Sequence, residues 1–93
     1  MKIKCFAVAQ GRVQGVGFRY FVLRAAAALG IGGWVRNCCD GSVEMYLHGE
    51  QAAVEQLLQK IRAGTVWIQV DSLDVRRVSD DQFPDESEFS VKY

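Results

Sequence analysis

Twice along this chain the spacing of apolar residues changes from every second position to every third or fourth and back, and that double alternation restricts the fold more than any other feature. Over residues 2–10, Ile3, Cys5, Ala7 and Ala9 share one parity, with Phe6 and Val8 on the other. Both parities are apolar, as expected of an interior strand covered on at least part of both faces. Phe18, Phe21/Val22, Ala25/Ala26 and Leu29 then recur at helical spacing in an alanine-rich run, and Gly30, Gly32 and Gly33 end that helix. Trp34–Asn37 reads as a short strand, Asp40-Gly41 as a hairpin turn and Ser42–His48 as the return strand. In that return strand Val43, Met45 and Leu47 fall on one face, and Glu44, Tyr46 and His48 on the other.

The second helical stripe, Val54, Leu57, Leu58 and Ile61, lies in a helix predicted over about Gln51–Arg62. Lys60 and Arg62 stand in its last turn, where the helix dipole favours cations, and Gly64 ends it. Val66, Ile68 and Val70 share one parity and Leu73 and Val75 the other, so a bulge or bend is expected at Asp71-Ser72. Residues 79–88, acidic and containing the only proline, Pro84, form a loop, and Phe89, Val91 and Tyr93 alternate into a last short strand. The order β-α-β-β-α-β, plus a short extra C-terminal strand, predicts an α+β, ferredoxin-like sandwich: an antiparallel sheet with two helices on one face. Ninety-three residues make one domain, 1–93. This superfold hosts RNA-binding, metal-binding, regulatory and catalytic proteins, so function has to be argued from side chains.

Formal net charge is zero, which offers no global attraction to nucleic acid or an anionic membrane. The distribution is uneven: six bases and no acid precede Asp40, while five bases and eleven acids lie from Asp40 onward. A basic half inside a neutral protein suits a small anion better than a polyanion. The apolar run Cys5–Ala9 is too short for a signal peptide, and no stretch approaches a membrane span; the cytoplasm is the expected compartment. Cys5, Cys38 and Cys39 form neither a disulfide framework nor a zinc-ligand spacing, and all three are expected as buried or half-buried free thiols. His48, the only histidine, has no carboxylate spaced to make a dyad and is expected at the surface. Trp34 and Trp67 are expected to pack at sheet edges or against helices.

The chemistry concentrates in Gly11-Arg12-Val13-Gln14-Gly15-Val16-Gly17-Phe18-Arg19, at the junction of the first strand and first helix. Glycines let the backbone approach a ligand closely and let successive N–H groups point the same way, a concavity that binds phosphate at a helix start. Arg19 adds a planar fork of donors that fits phosphate bidentately. The loop is neither a Walker P-loop nor a dinucleotide fingerprint. By itself it reads more readily as a tight strand-to-helix connection with an exposed arginine. Asn37, a second candidate at the end of its strand, taken alone likewise reads as turn chemistry.

Taken together, Gly11–Arg19 and the later Gly33-Trp34-Val35-Arg36-Asn37, with Gly41 and Val43 beyond it, closely resemble the acylphosphatase family. The resemblance extends through the second helix to the final Phe89-Ser90-Val91-Lys92-Tyr93. It implies a small ferredoxin-like enzyme that hydrolyses the carboxyl-phosphate bond of acyl phosphates without metal or cofactor. It implies further that Arg19 binds phosphate, that Gln14, Gly15, Val16, Gly17 and Phe18 supply a backbone cradle, and that Asn37 orients water. Inorganic phosphate and a small acyl phosphate would be its ligands, and a monomer is expected. The chain departs from the family's habit in having Cys38 after the asparagine and Gly64-Thr65 after the second helix. The alternative is a non-catalytic regulatory, RNA-binding or anion-binding module of the same fold; against RNA, no central strand carries the aromatic RNP1 pattern. A domain serving a larger carbamoyl-transfer enzyme is a further reading, and the length favours an independent protein.

Overall fold

Strand β1 (Lys2–Arg12) turns Ile3, Cys5, Ala7 and Ala9 into the core and Lys4, Phe6 and Val8 to the opposite face. The computed structural model describes residues 1–79 and 83–93, so positions 80–82 of the loop predicted over 79–88 lie outside the described residues. Helix α1 (Phe18–Ala28) buries Phe18, Val22, Ala25 and Ala26 against the same core, and α2 (Gln51–Ala63) buries Val54, Leu57, Leu58 and Ile61. With β2 (Gly32–Asn37), β3 (Val43–Glu50), β4 (Gln69–Arg77) and β5 (Phe89–Lys92) the sheet order is β4-β1-β3-β2-β5. This is the predicted ferredoxin-like sandwich. The first four strands are antiparallel as expected; β5 adds to the edge of β2 in parallel, pairing Gly33 with Phe89 and Val35 with Val91, so the sheet as a whole is mixed.

The parity change in the fourth strand has the expected cause. Gln10 pairs with Ser72 but Gly11 pairs with Val70, leaving Asp71 as the extra residue of a bulge. The bulge rephases the strand, so Val70 before it and Leu73 after it both pack on the core. Gly11 sits opposite at φ +129°, where a Cβ would lie 2.3 Å from the Gln69 carbonyl oxygen.

Because β4 and β5 lie at opposite edges, the chain between them crosses the sheet, and Phe83–Glu86 lies over the face opposite the helices. Lys4 Nζ donates to the Phe83 carbonyl at 2.8 Å and pairs with Asp85 at 2.7 Å. The Tyr46 hydroxyl donates to the Pro84 carbonyl at 2.7 Å, and the Tyr46 and Phe83 rings stack at 4.9 Å. The Glu86 N–H donates to His48 Nδ1 at 3.0 Å. Tyr46 is therefore fully buried, and His48, expected at the surface, is covered with 11% of its side chain exposed. Trp34 packs edge-on against Phe6 on this face. Trp67 departs from expectation: it is 71% exposed in the α2–β4 connection, ahead of the strand that was to hold it. Cys5 is buried, which raises its thiol pKa, and Cys38 is half-buried; Cys39 is exposed because it stands in the β2–β3 turn. Among the described residues no helix is long and apolar enough to cross a membrane.

Candidate active site

The link from β1 to α1 is pinned at two points. Val13 is buried and Val16 packs against the core, which leaves Gly15 and Gly17 at the surface between and beyond them. Both glycines have positive φ, +76° and +80°, with nothing within 4 Å of where a Cβ would stand. The dihedral angle, not crowding, is what selects glycine there. Gly17 is the N-cap of α1, and no side chain caps the helix or places an acid in its first turn. The first intrahelical bond runs from the Phe21 N–H to the Gly17 carbonyl at 3.0 Å. The N–H groups of Phe18, Arg19 and Tyr20 therefore precede the helical ladder and carry its positive dipole end.

Arg19 is held by its surroundings without being neutralised. Its Nη1 donates to the Lys92 carbonyl at 3.4 Å, its guanidinium lies 4.8 Å from the centre of the Tyr93 ring, and among the described residues no Asp or Glu side chain pairs with it. Asn37, the last residue of β2, lines the same cleft as Arg19. The turn after Asn37 is closed by the Cys38 N–H to the Ser42 carbonyl at 2.8 Å, and Asp40 accepts from the Ser42 hydroxyl at 2.6 Å and its N–H at 3.0 Å. Those bonds hold the Asp40 carboxyl below its ordinary pKa. Gln14 ties this turn to the glycine loop: its Nε2 donates to the carbonyls of Cys38 and Ser42, both at 2.8 Å.

A cleft of about 440 Å³ results, and Gly15, Gly17, Phe18, Arg19 and Asn37 all line it. The other two predicted site residues do not line it: the Gln14 side chain goes to the turn and Val16 packs against the core. The sequence reading missed the remaining walls: Val13 after β1, Tyr20 and Leu23 on α1, and Phe89, Ser90, Val91 and Tyr93 at the C-terminal end. The Tyr20/Leu23 spacing on α1 was available as a signal, but nothing local marks the last strand, which reaches the cleft only through its parallel pairing with β2. Among the described residues no group of three or more His, Cys, Asp or Glu converges as metal ligands would. Two glycines at positive φ, an uncapped helix N-terminus and an arginine around one cleft can hold a compact, multiply charged anion.

A sequence profile described as Acylphosphatase matches residues 5–91. The chain belongs to the acylphosphatase family. It is 47% identical over 74 residues to an acylphosphatase of Moorella thermoacetica, covering 80% of each chain. To one of Geobacillus thermodenitrificans it is 43% identical over 86 residues, covering 92% of this chain and 89% of that one. The fold superposes on the crystal structure of acylphosphatase from Bacillus subtilis with a TM-score of 0.91 at 32% identity, over the full length of both. The protein is thus an enzyme of the acylphosphatase class. Its two departures from the acylphosphatase habit have local explanations. Thr65, in place of proline, builds its own turn, its Oγ1 accepting from the N–H groups of Trp67 at 3.2 Å and Ile68 at 3.1 Å. Cys38 meets the Gln14 amide through its carbonyl, a contact independent of its side chain.

Proposed function

We propose that the cleft hydrolyses small acyl phosphates to a carboxylate and inorganic phosphate by a metal-free route, in a cytoplasmic monomer with no nucleic-acid or membrane partner. The convergence of Gly15, Gly17 and Arg19 with Asn37 across one cleft carries the reading. The phosphoryl group sits in the backbone cradle of Gln14–Phe18 with the Arg19 guanidinium on its oxygens. Asn37 holds a water in line with the bond to be broken. The water oxygen bonds to phosphorus as the acyl oxygen–phosphorus bond breaks with its electron pair. The water's proton passes to a phosphate oxygen, and the carboxylate leaves unprotonated.

Such a transition state is loose, with charge spread over the equatorial oxygens, so catalysis reduces to positioning and charge stabilisation. The cleft suits that division. Among the described residues no Asp, Glu or His side chain lines it, and a carboxylate leaving group needs no general acid. A phosphate monoester, whose alkoxide needs a proton, lacks that help here. The test is turnover of acetyl phosphate against a phosphate monoester, with chelator present, for wild type and Arg19→Gln. Acetyl phosphate should be consumed, the monoester left nearly untouched, and Arg19→Gln should lose at least about 10²–10³ in rate. Activity abolished by chelator and restored by a divalent ion, or near-normal turnover by Arg19→Gln, overturns the reading.

A further inference from the structure

A second groove, of about 450 Å³, runs from the phosphate cleft along α1 toward α2 and shares Gly17 and Tyr20 with that cleft. Phe21 and Ala25 help to line its apolar surface, and Arg24 and Lys60 stand at its polar side. Both are cations without a carboxylate partner among the described residues, in a chain that carries eleven acidic residues. The Arg24 guanidinium lies 5.7 Å from the Tyr20 ring, the residue on the saddle between the two clefts. Arg24 follows Gly17 by seven residues, about 10 Å along a helix at 1.5 Å per residue. Lys60 reaches the same groove from the last turn of α2.

We infer that this groove is an acyl-chain subsite, selecting acyl phosphates whose acyl group carries a second anion a few carbons from the reacting carbonyl. The inference rests on the proposed reading of the first cleft. With the phosphoryl group at Gly17, the acyl chain crosses the Tyr20 ring and brings the second anion between Arg24 and Lys60. A carboxylate and a phosphate ester are both recognised by this chemistry. Exposed cations contribute modestly, so the expected effect is a preference and not an absolute requirement.

The test compares succinyl phosphate with butyryl phosphate, equal in carbon number and differing in the terminal charge, alongside an acyl phosphate tipped with a phosphate ester. For wild type at low salt, kcat/KM for succinyl phosphate should exceed that for butyryl phosphate by roughly three- to tenfold, mostly through KM, and the ratio should shrink as salt screens the groove. The larger ratio between the two charged arms identifies the second anion. Arg24→Gln combined with Lys60→Gln should bring the ratios to about one, and Arg24→Glu should drive them below one. A wild-type ratio near one, or a ratio the variants leave unchanged, overturns the subsite while butyryl phosphate turnover still upholds the first cleft. A wild type that hydrolyses none of the three overturns the reading on which the subsite depends.

Discussion

Gln14→Met keeps the side chain's length and removes both hydrogen bonds by which the glycine loop holds the Asn37 turn. In the native protein Nε2 donates to two carbonyls at 2.8 Å. Each bond contributes about 1 kcal/mol net. Neither carbonyl is stripped bare in the variant: Ser42 still accepts from the Cys38 N–H at 2.8 Å, and Cys38 from the Gly41 N–H at 3.3 Å. The larger penalty for an orphaned buried acceptor is thereby avoided, and the expected loss is about 1–2 kcal/mol. For a domain of this size each kcal/mol shifts Tm by about 4–8 °C, so Tm should fall by about 5–15 °C. The kinetic effect should be selective. The turn carries Asn37, whereas Arg19 and the N-terminus of α1 are held by other contacts. A displacement of about 1 Å can cost up to about 10² in rate; kcat for acetyl phosphate should drop by about tenfold or more, while inhibition by inorganic phosphate changes by a few-fold at most. Thermal melts by circular dichroism and steady-state kinetics measure both. A Tm within about 2 °C of wild type with unchanged kcat refutes the tie. Equal losses in kcat and phosphate affinity would show that Gln14 supports the cradle and not the turn.

Asn37→Ala should lose about 10² in kcat yet bind inorganic phosphate within a few-fold of wild type, as expected when an interaction is made mainly in the transition state; parallel losses in both would give Asn37 a share in holding phosphate. Stability should fall in acid with a definite sign: the hydrogen bond from Lys4 lowers Asp85 below its ordinary value, and the Ser42 hydroxyl does the same for Asp40. Their contribution is full at neutral pH, starts to fall as pH drops through the ordinary carboxylate range near about 4, and is gone only below the lowered folded values. Thermal melts from pH 7 down to 3 check this, and a Tm that rises between pH 5 and 3 contradicts it.

What could be read in advance was whatever burial on one side imprints locally. The stripe Val54, Leu57, Leu58, Ile61 is a helix face because those four meet the core, and the parity slip after Val70 marked the bulge because an extra residue must rephase a strand. What escaped depends on partners distant in sequence. Tyr46 shares its parity with Glu44 and His48, and nothing local announces that the crossover to β5 lays Phe83 and Pro84 over it. The crossover binds partly through the carbonyls of Phe83 and Pro84, groups every residue possesses and no composition reveals. The candidate site divides in the same way. Gly15, Gly17 and Arg19 lie close together in the chain and announce themselves by type. The Gln14 tether and the Phe89–Tyr93 wall arise from pairing, and the cations of the second groove meet because α1 and α2 pack side by side. Local pattern is thus sufficient to locate the glycine loop and the arginine on which the proposed anion site rests. Whatever chooses among anions must be sought where elements remote in sequence come together, at β5 and at the α1–α2 groove.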